Sequence, residues 1–412
     1  MSVYRPPPVR SDLIVKPQVH RGEPYAIVKD PVTRRFFRLP ALAYQVAECF
    51  DSATSVEQVA REISAKRDCS IDAAEVEQFA RQLEALGLLE QQLSTAEIDA
   101  RQRKLTGERR SLWYLKWPLV NPDRLLNALL VVLRPLFTKP ALLVLSGLVV
   151  ASMIVHVTHA ESVSRALYHA THGGGLLWLY GATALTLTLH EMAHGLTSKR
   201  FGADVHEMGF LLLYFMPCAY TDISNAYLIN NKWDRIWITL AGSAADLVVW
   251  AAACIVLVIA QPGMMGQQVL GAVMLTTGYR SVALNLNPLI KLDGYYVLLD
   301  LLELPNLRQR SKSVVRWRLK RWFRRDAAVP DETPRDRRVL EVYGWLSAAY
   351  VAGLLFLSAL WLDKWLTSWA GSYGRLAYLA LGALILIGHG VVKARRRRRL
   401  STSMPREVET EV

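Results

Sequence analysis

The chain is poor in cysteine. Its four, Cys49, Cys69, Cys218 and Cys254, are scattered, with no C-x-x-C pair and no disulfide-like spacing, so they point to no metal or redox work. The opening stretch "MSVYRPPPVRSDLIV" lacks the apolar core of a secretory signal, which places the first hundred residues in the cytosol. Long apolar runs are missing up to about residue 110, which reads as an ordinary soluble mixture. Beyond that point the balance reverses. Hydrophobic residues make up 52% of the 412-residue chain, and they gather in stretches near the roughly 20 residues needed to span a bilayer. The chain reads as an integral membrane protein.

Acidic residues do not balance the basic ones. The formal charge of +13 sits largely in "RQRKLTGERR", "RQRSKSVVRWRLKRWFRR" and "KARRRRR". Basic runs in general suit nucleic acid, but juxtamembrane clusters set topology and meet anionic lipid headgroups. The membrane reading is adopted, with lipid as a partner and no nucleic acid.

After a Pro-rich start, "PYAIVKDPVTRRFFRLP" alternates apolar and polar residues on either side of a turn-prone "DPVT", the pattern of a β-hairpin. "ALAYQVAECFD", "SVEQVAREISAKR" and "IDAAEVEQFARQLEALGLLE" then carry apolar stripes at i, i+3, i+4 spacing, with Ser55 and Asp72 as caps. A hairpin plus three helices should close near Glu90. Residues 121–137, "NPDRLLNALLVVLRPLF", suit a helix lying in the interface.

Six spans follow, at about 140–158, 175–198, 236–260, 267–288, 340–362 and 374–392. The basic clusters lie before span one, between spans four and five, and after span six, whereas "QPGMMGQ" between spans three and four is uncharged. Both termini are therefore expected in the cytosol.

Span two ends in "HEMAH": His190, Glu191 and His194. Helical pitch brings the two imidazoles onto one face, one turn apart, where neutral nitrogens ligate Zn²⁺ and the glutamate serves as general base. Counted from Leu176 at about 1.5 Å per residue, His190 lies ~21 Å into a hydrocarbon layer of roughly 30 Å. Ionisable groups at that depth need a partner, a cavity or a metal. A catalytic zinc also needs a third protein ligand. In "NLNPLIKLDGYYVLLD", Pro288 interrupts span four and Gly294 permits a turn. Asp293 then comes to the depth of the two histidines.

Asp246 in span three and Arg280 in span four lie ~15 and ~16 Å deep by the same count, and a buried pair between them is expected. Between spans two and three, "VHEMGFLLLYF" alternates and reads either as a hairpin near the site or as an amphipathic interfacial loop. His206 and Asp222 are further ligand candidates without diagnostic spacing. His156, His159, His169 and His172 cluster around the outer loop between spans one and two, and His389 reads as a packing residue.

"HEMAH" together with Asn285, Pro288, Asp293 and Gly294, an N-x-x-P-x-x-x-x-D-G pattern, resembles the site-2 protease family of intramembrane zinc metalloproteases over about residues 175–300. The resemblance implies zinc held by His190, His194 and Asp293, water activated by Glu191, and substrate or its oxyanion held by Asn285. Many family members carry Gly-Pro and then Asn in the third core span, where this chain reads "AGSAADL" with Ser243 and Asp246, so no role carries over from that span. No PDZ or CBS-type domain is visible, and the family's signalling roles do not transfer. Residues 10–92 resemble the PqqD-like fold, a small winged-helix module that binds the leader of ribosomally made peptides; the plainer reading is a generic winged-helix domain. The two together are similar to the peptide zinc metalloproteases found beside peptide-maturation and export systems.

The expectation is a mostly α, polytopic protein of a bacterial inner membrane. Its parts are a small α+β winged-helix-like peptide-recognition domain (1–95), a basic linker and interfacial helix (96–138), a metalloprotease core (139–304), a basic cytosolic loop (305–338), two further membrane helices (339–393) and a tail (394–412). Its partners would be a peptide substrate, such as a modified ribosomally made precursor, and an export adaptor or transporter. Two other readings stand beside it: a non-catalytic peptide-binding component of an export machine, and a metal transporter.

Overall fold

The computed structural model describes residues 4–20, 22–33, 35–67, 70–90, 114–213, 216–323 and 332–400. The linker expected over 96–113, the tail from 401, Cys69, and the side chains of Cys218 and His389 lie outside the described residues. The chain divides into two compact units, one reaching Pro305 and one beginning at Asn306.

The first ninety residues build a three-stranded antiparallel sheet backed by three helices. Strands β1 (Ile14–His20), β2 (Glu23–Lys29) and β3 (Phe36–Pro40) lie in that order. Alternation sends Ala26, Val28 and Phe37 inward, where they meet apolar faces of α1 (Ala41–Glu48), α2 (Val56–Arg67) and α3 (Ala73–Leu86). At the start of α2, Ser55 N–H donates to Gln58 Oε1 (3.1 Å) and Gln58 N–H to Ser55 Oγ (3.3 Å), a reciprocal capping box. Asp72 accepts from Ala74 N–H at the start of α3, and Gly87 ends it in the left-handed region at φ 78°. Strand β1 is additional to the expected hairpin. It carries Pro17, which a strand tolerates at the sheet edge, where its missing donor breaks no ladder.

The outward face of this sheet is also covered. Gln18 Nε2 donates to the carbonyl of Tyr227 (3.0 Å), Lys29 Nζ to Asn225 Oδ1 (2.6 Å), and Phe36 packs on the Tyr227 ring. These partners belong to a short 3₁₀ turn, Ser224–Leu228.

A second antiparallel sheet has the order β4 (Tyr114–Val120), β5 (Met208–Leu213), β6 (Met216–Thr221). Strand β5 lies in the alternating segment and pairs with β6, which follows it, and β4 adds an unexpected third strand from within the expected linker. Helix α4 (Asp123–Leu133) follows, continued by a 3₁₀ turn to Phe137. Asp123 Oδ1 accepts from Lys199 Nζ (2.8 Å) and Val205 N–H (3.1 Å), tying α4 to the end of the helix that carries the histidines.

Helix α5 (Lys139–Thr158) is followed by α6 (Ala160–Thr171), α7 (Gly175–Arg200), α8 (Lys232–Ala260) and α9 (Met264–Met274). The segment expected as an outer loop is α6, an amphipathic helix whose Val163, Ala166 and Ala170 are buried. Helix α9 runs into two π-helical turns, Leu275–Tyr279 and Ser281–Asn285, and the chain breaks before α10 (Asp293–Leu302). In the second unit, α11 (Leu307–Phe323) precedes α12 (Pro334–Leu400), which is broken at Gly371 (φ 56°).

By length and composition, three helices among the described residues can cross a membrane: Lys139–Thr158, Lys232–Ala260 and Pro334–Ser368. Helix α7 is 26 residues long, or ~39 Å at 1.5 Å per residue. Its threonines, histidines and Glu191 dilute its apolar character; it is buried around His190, His194 and Leu196 and exposes Leu177, Tyr180 and Leu185 nearer its start.

Candidate metal centre

Four elements converge on one point. His190 and His194 project from α7 with their rings edge to face, 4.7 Å between centroids. Both are buried. Helix α8 crosses them at Gly242, where a Cβ would stand 2.4 Å from His194 Nε2 and 2.6 Å from His190 Nε2. Only glycine leaves both ring nitrogens in place there. Ser243 and Asp246 lie on the same helix, and the π-helical turns bring in Arg280, Ser281 and Asn285.

Asp293 is the first residue of α10. The break after Asn285 turns the chain so that this helix begins beside α7 instead of continuing α9. Gly294 is not in a turn: it is helical and buried, and a Cβ would meet the Leu286 carbonyl at 2.4 Å. Its smallness serves the packing of the helix start on the broken segment, which corrects the role expected from sequence. Two ion pairs hold α10 against the start of α8: Arg235 Nε with Asp300 (2.8 Å) and Lys232 Nζ with Glu303 (2.5 Å).

His190 Nε2 and His194 Nε2 are 3.1 Å apart, and Asp293 Oδ2 lies 3.2 Å from the first and 3.5 Å from the second. Ligand atoms around one tetrahedral zinc, at about 2.1 Å from the ion, stand roughly 3.4 Å from each other. The three atoms therefore fit one ion, and the His, His, Asp donor set suits zinc. Among the described residues these are the one such group of potential ligands.

The far nitrogens complete the fit. His190 Nδ1 is 2.9 Å from Asp246 Oδ2, and His194 Nδ1 is 2.8 Å from the carbonyl of Ile238. An acceptor at each Nδ1 puts the ring proton there and leaves both Nε2 lone pairs for a metal.

Glu191, between the two histidines in sequence, is half-buried, and its carbonyl accepts from Thr221 Oγ1 at the end of β6 (3.1 Å). Asn285 Nδ2 is 3.4 Å from His190 Nε2. Arg280 Nη2 donates to Asp246 Oδ2 (2.7 Å), so these two residues are paired, but the same oxygen also faces His190 and accepts from Ser281 Oγ (2.5 Å). Sequence reasoning paired Asp246 with Arg280 and missed its reach to His190, along with Gly242, Ser243 and Ser281. Ser243 Oγ is 3.4 Å from Asp293 Oδ2. The available signal was the "AGSAAD" run itself, small residues followed one turn later by an acid on a helix facing the histidines.

His206 and Asp222 do not join the cluster; Asp222 accepts from Ser224 N–H and Oγ in its own turn. The outer histidines take local partners, His169 and His172 sharing the Tyr168 ring. His156 Nε2 meets Tyr279 Oη (3.1 Å), His159 Nδ1 meets Thr158 Oγ1 (3.0 Å), and His172 stacks on Tyr168 at 4.0 Å.

Residues 180–281 match peptidase family M50, the site-2 protease family of membrane-embedded zinc metalloproteases. The matched span holds His190, Glu191, His194, Gly242, Asp246 and Arg280, and ends short of Asn285 and Asp293. An uncharacterized protein of Methanocaldococcus jannaschii is 33% identical over 81 residues, a stretch covering 19% of this chain and 22% of that relative. No solved structure matches.

Proposed function

We propose that this chain is an intramembrane zinc metalloendopeptidase that hydrolyses a peptide bond in a peptide or membrane-associated substrate, in peptide maturation or export. The observation that carries the reading is the convergence of His190, His194 and Asp293 to 3.1–3.5 Å on a scaffold that matches a peptidase family.

Those three residues would hold a zinc ion, which would supply Lewis acidity toward a substrate carbonyl and lower the pKa of water. Glu191 handles the proton: its carboxylate takes one from the attacking water and returns it to the leaving amine. The Asn285 amide, 3.4 Å from His190 Nε2, would donate to the substrate carbonyl as negative charge develops there. Strand β6 packs on α7 and is an edge of its sheet. A sheet edge is the kind of surface on which an unwound substrate can pair in the extended form that hydrolysis requires.

The N-terminal domain acts as the recognition module in this reading, a PqqD-like domain presenting a ribosomally made precursor. Its sheet is fastened to the 224–228 turn that follows β6, so a peptide bound there is delivered next to the site. In this reading the apolar stretches make six spans in a bacterial inner membrane, the basic clusters keep both termini in the cytosol, and an export adaptor or transporter would receive the product.

The test compares wild type with Glu191→Gln, both zinc-loaded, on peptides encoded beside the gene. Cleavage by wild type alone is the expected result. Equal processing by both overturns the protease reading and favours a peptide-binding component without catalysis.

A further inference from the structure

The two imidazoles are held by unlike partners. His194 Nδ1 faces a neutral backbone carbonyl, that of Ile238, whereas His190 Nδ1 faces a carboxylate, Asp246 Oδ2. That oxygen is itself crowded. Arg280 Nη2 and Ser281 Oγ both donate to it, at 2.7 and 2.5 Å, and Asp246 is 2% exposed. Arg280 is fixed in turn by donation from its Nε to the Thr276 carbonyl on its own helix (2.7 Å). The π-helical register sets adjacent residues, Arg280 and Ser281, on one acceptor.

A plain structural ion pair does not need this arrangement. Asp246 and Arg280 could neutralise each other anywhere along the α8–α9 contact, yet the shared oxygen is the one within hydrogen-bond distance of a candidate ligand. We propose that Asp246 is the positioning residue of the metal centre. Its carboxylate takes the Nδ1–H of His190, fixes the tautomer and ring angle that leave Nε2 for the ion, and raises the basicity of that ligand. Arg280 and Ser281 hold the carboxylate in register, and Arg280 moderates its charge. The proposal rests on the zinc reading above and deepens it: the centre is asymmetric, with His190 the stronger ligand.

The asymmetry predicts unlike outcomes at the two ends of one ion pair. Asp246→Leu leaves His190 without an acceptor and should lower zinc affinity about 10–100-fold, the range found when such outer partners are removed. Asp246→Asn keeps a carbonyl acceptor without the charge and should lose several-fold. Arg280→Gln leaves the carboxylate with its full charge for His190, so zinc affinity should stay within about threefold of wild type, although the protein melts earlier because a buried charge has lost its partner.

The measurement is zinc affinity of the full-length chain in detergent, by competition with a chromophoric chelator, alongside the melting temperature of each metal-free variant. A purely structural pair would lower the melting temperatures of both variants together and move zinc affinity equally in both. Equal affinity changes for Asp246→Asn and Arg280→Gln, or wild-type affinity in both Asp246 variants, overturn the proposal while the metal centre stands. Absence of zinc binding by wild type overturns the zinc reading and this proposal with it. Should Asp246→Leu fail to fold, the Asp246→Asn and Arg280→Gln comparison decides alone.

Discussion

The N-terminal domain has an almost wholly apolar interior, whereas the helical core buries a group of ionisable and polar side chains as well. In the first, the interior is aliphatic and aromatic: Val28, Phe37, Val46, Val59, Ile63, Val76, Leu83 and Leu88 form one cluster. In the second, an apolar cluster around Val163, Trp250, Leu257 and Met274 stands beside a polar interior of His190, His194, Asp246, Ser281 and Asn285. The two apolar helices make the same point. Only 6% of the apolar window of α5 is buried within the protein, against 39% for α8, so α5 offers its surface to lipid while α8 carries the notch and the acid that face the histidines. Where the surrounding solvent is hydrocarbon, apolar area gives no reason to be inside, and buried polar groups are there for function or for one another.

Substitutions can sharpen or break this contrast. The largest effect is expected from Gly242→Val, whose added carbons fall where both Nε2 atoms now sit. Zinc binding measured by chelator competition should be lost, while amide exchange in α2 and α3 stays as in wild type. Second, Leu83→Ala in the N-terminal core should cost about 3 kcal/mol, read as faster hydrogen exchange in α1–α3, with zinc affinity unchanged. A fall in zinc affinity there would show the two interiors to be one cooperative unit. Third, Ser55→Ala removes one half of the α2 capping box and should cost about 1 kcal/mol in the same exchange measurement. Smallest of all, Leu143→Ala on α5, a residue 73% exposed, should change melting in detergent by less than about 0.5 kcal/mol; a core-like loss would mean that α5 is covered by protein.

Much of the site can be read from residue order because order reports depth along a helix. The spacing of His190 and His194 on one helix, and the helix break at Pro288 that brings Asp293 level with them, are matters of rise per residue. Rotation about the helix axis is another matter. A depth count sets Asp246 opposite Arg280, and they meet at 2.7 Å, but it says nothing of which neighbour Asp246 turns toward, so its approach to His190 was invisible. Gly294 was misread for a related reason. A glycine after an aspartate looks like a turn, and only the packing of Leu286 against it reveals a close approach. In the N-terminal domain the capped helices were plain from their stripes and cap residues. Strand β1 was not, because Pro17 argues locally against a strand and the pairing that overrides it is tertiary. The twelve residues of helix α6, AESVSRALYHAT, predict a loop because they are too polar and too short for a span, and their amphipathic stripe acquires meaning only against α9.

The turn at 224–228 has a mechanical consequence. It receives Gln18 and Lys29 from the N-terminal sheet, and a few residues upstream Thr221 grips the carbonyl of Glu191. Domain and histidine-bearing helix are thus linked in series, like a latch to its bolt, with hydrogen bonds at both ends. What binds the sheet therefore bears on a segment hydrogen-bonded to the helix turn that carries Glu191.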